Sequence, residues 1–235
     1  MFLWMNNMVK QQLVWDLPVR IFHWCFVCVL VALWYTSDQD NDLIEIHMKL
    51  GYTALSLVLF RVLWGIWGTR YAQFKNFIPS ISELKAYIHD FRLGKAKAYI
   101  GHNPLGSLMV VFILFAVLLQ ATSGLFISDD IFSAGPYNGT LSESFEKLLK
   151  TTHSNGFNII LTLSGLHIFA VLYYLIIKKQ NLIKPMFNGK KLNIGKNDGI
   201  AHSRLLIAFI IAVVVVGFVY WLVVINAPVI EEYYY

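Results

Sequence analysis

The sequence predicts an all-α integral membrane protein, a four-helix bundle extended by a fifth, C-terminal transmembrane helix. Three observations predict it. Of 235 residues, 57% are hydrophobic and only 14% are charged, less charge than a soluble domain of this length carries. A span needs about 20 apolar residues, and five stretches supply them, at about 18–36, 46–68, 104–127, 151–177 and 205–225. Lys and Arg are concentrated in alternate connections, as a membrane topology requires. The net charge of +5 is therefore read as topological, with no nucleic-acid partner.

Residues 1–15 are short and mixed, and no apolar run followed by a small-residue cleavage site is present, so no removable signal peptide is expected. Val14-Trp15-Asp16-Leu17-Pro18 reads as a helix start. Asp16 can cap the first turn, Pro18 suits an early helical position, and Trp15 suits the interfacial belt. The connection after the first span carries Asp38, Asp40, Asp42 and Glu45 with no Lys or Arg. Span two starts near His47. Segment 69–103 holds Arg70, Lys75, Lys85, Arg92, Lys95 and Lys97 against Glu83 and Asp90. Gly101-His102-Asn103-Pro104 starts span three, and the loop 128–150 that follows is acidic and turn-rich, with Asp129 and Asp130. After span four come Lys178, Lys179, Lys184, Lys190, Lys191, Lys196 and Arg204. Glu231, Glu232 and three tyrosines end the chain. Basic loops after spans two and four put the N-terminus in the cytoplasm and the C-terminus outside. Residues 1–190 form the bundle unit, and 191–235 supply a basic linker, the added helix and an external tail. There are no internal repeats.

The run Thr151–Ile177 carries His153 and His167, fourteen residues apart. At 100° per residue, fourteen steps return to within roughly 40° of the same face, about 21 Å further along the axis. Ionisable groups inside a span are costly, and the default reading is functional. Topology then gives each histidine a depth. His47 and His153 open their spans at the external side. His23 lies about two turns in from the cytoplasmic end of span one, and His167 lies toward that same half. The four sort into an outer pair, His47 with His153, and an inner pair, His23 with His167. Two neutral imidazoles from different helices can hold an iron from opposite faces of one porphyrin, and helix bundles build cofactor sites between facing helices. Two b haems follow.

Arg61 follows His47 by fourteen residues, the same offset. It pairs with a haem propionate, as Arg20 could one turn before His23, or it snorkels to the interface. Gly51 and Gly65 stand four residues after His47 and Arg61, and Gly156 and Gly165 flank the span-four histidines. Each leaves room for a flat macrocycle or for close helix packing. For His102 the readings are an interfacial cap, a ligand in place of His23, a propionate contact or part of a quinone site. His89 and His202 are expected in solvated basic loops. Cys25 and Cys28 form C-x-x-C, but Val29 follows, so the signature for covalent haem attachment is absent. They are expected in the core.

Several stretches together resemble the prokaryotic cytochrome b561 family, which includes the b-type cytochrome subunit of nickel–iron hydrogenases. They are Val14 through Trp24, His47 with Gly51, Phe60-Arg61 through Trp64-Gly65, Gly101 through Gly106, Gly124-Leu125-Phe126 through Asp130, and His153 with His167. The resemblance covers about residues 14–190. It implies a four-helix core holding two b haems between spans one, two and four, in a bacterial inner membrane, with electron exchange with quinone. His23, His47, His153 and His167 match its ligand positions. The fifth span carries no histidine and is assigned to packing, assembly or partner contact, leaving the oligomeric state, a homodimer included, open.

The function expected is electron transfer between an external redox protein, such as hydrogenase or a cytochrome c, and the quinone pool within the lipid bilayer. Two other classes compete. One is a stand-alone superoxide or quinol oxidoreductase, with Lys49, Lys147 and Lys150 steering an anion to the outer site. The other is a transition-metal transporter, which would want carboxylates or thiolates clustered at midplane.

Overall fold

The computed structural model describes residues 11–37, 43–128, 133–192 and 198–228. Asp38, Asp40, Asp42, Asp129, Asp130, Lys196, Glu231 and Glu232 lie outside the described residues. Among the described residues, five helices are long and apolar enough to cross a membrane: α1 (Leu17–Thr36), α2 (Ile44–Trp67), α5 (Pro104–Gly124), α6 (Glu143–Ile176), and α8 (Leu205–Tyr220), which runs on into a π-helical turn, Trp221–Ile225. The basic segment expected as loop between α2 and α5 contains two shorter helices, α3 (Phe74–Phe77) and α4 (Ile81–Arg92). Ser80 and Glu83 form a reciprocal capping box that starts α4. His89 therefore sits on a helix, exposed, rather than in a loop.

The caps follow the sequence. Asp16 Oδ1 accepts from the Val19 amide at 2.7 Å, with Pro18 in the first turn of α1. Asn103 Oδ1 accepts from Gly106 N at 2.8 Å and starts α5, so Asn103, and not His102, is the cap. The fourth span begins eight residues earlier than its apolar run. Its 34 residues make a rod of about 51 Å, longer than a bilayer core. The added turns carry Glu143 and Glu146 at the N-terminus, where carboxylates suit the helix dipole. Glu146 Oε1 ties back the preceding loop through Gly139 N at 2.6 Å.

The helix α2 is central, packing against α1, α5 and α8, while α5 and α6 pair along their lengths. One core cluster at the α2–α8 contact includes Leu55, Trp64, Ile211, Val215 and Val219. A second joins α1, α2, α5 and α6 through Phe22, Phe26, Val58, Leu114, Val117 and Ile160. Cys25 and Cys28 are exposed on the outer face of α1, not in the core as expected.

At the basic end the chain is stitched together around α7 (Ile183–Asn188). Strand β1 (Gln12–Leu13) pairs antiparallel with β2 (Lys190–Lys191). Between them Gly189, at φ 75°, caps α7 and presents its carbonyl to the amides of Val14 and Trp15 at 2.8 and 3.0 Å. A side chain there would meet the Trp15 carbonyl at 2.5 Å, so both conformation and space require glycine. Arg204 holds the start of the added helix to the carbonyls of Trp67 and Gly68. At its far end the Tyr137 hydroxyl donates to Leu222 O at 2.9 Å.

Candidate functional site

Three helices, α1, α2 and α6, carry the four histidines, and the structure brings them together in two pairs. His47 and His153 have ring centres 6.3 Å apart with planes at 79°. His23 and His167 have ring centres 6.5 Å apart with planes at 56°. No pair is hydrogen-bonded ring to ring. Two imidazoles on opposite faces of one metal need this spacing: metal–nitrogen bonds of about 2 Å each, plus the half-width of each ring, give roughly 6 Å.

The His47–His153 pair is oriented by its neighbours. His153 Nδ1 lies 2.9 Å from the Gln120 carbonyl and 3.2 Å from Ser123 Oγ. The Gln120 side chain returns a bond from Nε2 to the His153 carbonyl at 2.9 Å. His47 Nδ1 lies 3.3 Å from Thr36 Oγ1. A proton held on Nδ1 toward a carbonyl leaves the Nε2 lone pair free for a metal, the usual arrangement for a ligating imidazole. Gln120 and Ser123 escaped the sequence reading. The available signal was their polarity inside the apolar run of α5, where such residues seek a partner.

Space beside the rings also fits a flat group. A β-carbon at Gly51, one turn after His47, or at Gly165, two residues before His167, would meet nothing within 4 Å. Gly65 and Gly156 follow the second of the two readings, close packing. The Phe74 ring fills the space over Gly65, and the Gln120 carboxamide fills that over Gly156. Those two are packing glycines.

The two arginines are engaged by protein. Arg61 is only 3% exposed, which overturns snorkelling. Its Nη1 donates to the Ala72 carbonyl at 3.2 Å, and its guanidinium lies over the rings of Phe74 and Phe77 at 5.2 and 5.8 Å. Asp16 is the carboxylate that acts on it electrostatically. Arg20 donates to the carbonyls of Phe187 and Asp16. Neither reaches a histidine ring through a hydrogen bond among the described residues.

Asp16 is more than a cap. It is 1% exposed, accepts from Trp64 Nε1 at 3.2 Å and accepts a bond from the Thr69 hydroxyl. Burial pushes its carboxyl up, while the bonds from Thr69, Val19 and Trp64 pull it down. His102 lies between Trp15 and Phe77, ring centres 4.7 and 4.8 Å away, and its buried Nδ1 has no hydrogen-bond partner among the described residues. Lys49 pairs with Glu45 at 3.6 Å. Among the described residues, no three His, Cys, Asp or Glu side chains converge on a metal-sized site.

The sequence model described as prokaryotic cytochrome b561 matches residues 14–189. Curated relatives named probable Ni/Fe-hydrogenase B-type cytochrome subunit are similar along most of the chain. The Rhodobacter capsulatus protein is 22% identical over 76% of this chain and 80% of its own length. Those of Rhizobium leguminosarum bv. viciae and Azotobacter chroococcum are 24% and 25% identical, over 79% and 76% of this chain and 90% and 88% of their own. No solved structure gives a significant match. With the family pattern covering three quarters of the chain, and with it the helices that carry all four histidines, this chain belongs to the prokaryotic cytochrome b561 family.

Proposed function

We propose that this chain is a dihaem b-type cytochrome that carries electrons through the membrane, between a redox protein at the acidic end and quinone. The observation that supports it is the repeated spacing: two histidine pairs with ring centres 6.3 and 6.5 Å apart. Along α6 their members are separated by about 21 Å, so the pairs serve as successive sites. On this reading His47 and His153 hold one haem b, and His23 and His167 hold the other. Haem, when bound, supplies a one-electron iron couple whose potential the protein tunes.

The protein's own part is to hold and insulate. Gln120, Ser123 and Thr36 fix the imidazoles of one pair. Leu114, Val117 and Ile160 keep the interior dry. Gly51 and Gly165 leave room beside the rings. Arg61 and Arg20 supply positive charge at the basic end, where propionates would sit. The relatives' name supports a hydrogenase as the redox protein. The alternation of basic and acidic loops supports a cytoplasmic N-terminus, an external C-terminus and a bacterial inner membrane.

The test is pyridine haemochrome stoichiometry on purified protein, followed by mixing the reduced protein with a soluble quinone. Two non-covalent haems per chain and oxidation of the reduced protein by quinone are expected. A colourless protein would remove the proposal.

A further inference from the structure

Each histidine of the His47–His153 pair is held at its Nδ1 by a hydroxyl from a neighbouring helix, joined at His153 by a carbonyl three residues before that hydroxyl. On α1, Thr36 Oγ1 lies 3.3 Å from the His47 Nδ1. On α5, the Gln120 carbonyl lies 2.9 Å from His153 Nδ1, and Ser123 Oγ lies 3.2 Å from it. Both hydroxyls are themselves anchored, Thr36 to the Ala32 carbonyl at 2.8 Å and Ser123 to the Gln120 carbonyl at 2.9 Å. The other pair is built differently. His23 Nδ1 is buried with no hydrogen-bond partner among the described residues.

This difference has electronic weight. An Nδ1 proton shared with a carbonyl makes the imidazole more basic at Nε2. A more basic axial ligand favours the oxidised metal, and hydrogen bonding around the ligands is one of the levers that sets potential. The buried cation Arg61 lies fourteen residues along α2 from His47, at the opposite end, where the buried Asp16 carboxyl acts on it. A positive charge in a low-dielectric region favours the reduced state of a nearby metal.

We infer that the two histidine pairs are inequivalent by construction: the Thr36 and Gln120–Ser123 cradles make the His47–His153 site the one of lower potential. Thr36 and Ser123 are its positioning residues. The inference rests on the proposed dihaem function.

The test is an optical redox titration of the full chain carrying its haems, with haem content measured in parallel. Two reduction steps are expected. Ser123→Ala and Thr36→Val each move the lower-potential step upward and leave the higher one in place. Ser123→Thr, which keeps the hydroxyl, leaves the lower step at its native position. Thr36→Val probes the second cradle independently, should Ser123→Ala not assemble. A protein with two haems whose lower step ignores both substitutions, or whose higher step moves instead, overturns this inference alone. Fewer than two haems in the unaltered chain would overturn the dihaem reading and this inference with it.

Discussion

His153 lies against Gly124 with no room to spare: a β-carbon at Gly124 would stand 3.0 Å from the imidazole Cε1. The glycine lets α5 approach α6 closely enough for Gln120 and Ser123 to reach the Nδ1. Alanine there should displace the ring by a few tenths of an ångström, whereas Gly124→Leu should drive it out of its pair. The expected outcome is one haem per chain instead of two, by pyridine haemochrome. Gly124→Ala should keep both and shift only the spectrum.

Gly51 offers the converse test. Nothing lies within 4 Å of a β-carbon built there, so Gly51→Leu should leave the fold undisturbed. It should nevertheless fill the space one turn from His47 and lower haem content. Circular dichroism of the purified protein should match the parent while the haem absorbance falls. Full haem occupancy in Gly51→Leu would mean that the space beside His47 is not a haem cradle.

Asp16 joins three parts of the basic end. It caps α1 and satisfies Trp64 Nε1 and the Thr69 hydroxyl from α2 and its following loop. Asp16→Ala removes the cap and leaves two buried donors unsatisfied, a loss of about 2–4 kcal/mol. Unfolding in mixed micelles should show a stability drop of that order. Asp16→Asn, which keeps an acceptor, should lose less.

Lys191 sets a pH dependence. It sits over the Trp15 ring and near the Tyr99 carbonyl, and burial pulls its amine down to about 8 from 10.5. Below pH 8 the amine is charged in both states, and the folded state carries the full cost of burying it. Between pH 8 and 10.5 the unfolded chain binds more protons than the folded one, so stability rises with pH. Lys191→Met should therefore be more stable than the parent at pH 7, and the gap should close as pH rises toward 10. Thermal melts in detergent across that range check it. A gap that widens would contradict the burial of a charged amine at Lys191.

Some of this was legible beforehand and some was not, for physical reasons. The depth of each histidine follows from helical rise and loop charge alone, which suffices to sort His47, His153, His23 and His167 into pairs. The early start of α6 was hidden because Glu143, Glu146, Lys147 and Lys150 interrupt hydropathy without interrupting a helix. Cys25 and Cys28 were misplaced because α1 is apolar nearly all round, and apolarity does not separate bundle interior from lipid. The roles of Asp16 and Gln120 depend on partners 48 and 33 residues away, which local spacing does not reveal. For Arg61, the loop that turns back over it, with Ala72, Phe74 and Phe77, supplies partners no periodicity predicts.

The pairing itself is tested most directly by haem content across the four single histidine-to-alanine variants and three doubles. His47→Ala and His153→Ala should each lose one haem, and combining them should lose no more. His23→Ala and His167→Ala should lose the other in the same manner, while His47→Ala with His23→Ala should lose both. Two haems retained in any single variant, or a further loss when His47 and His153 are replaced together, would contradict it.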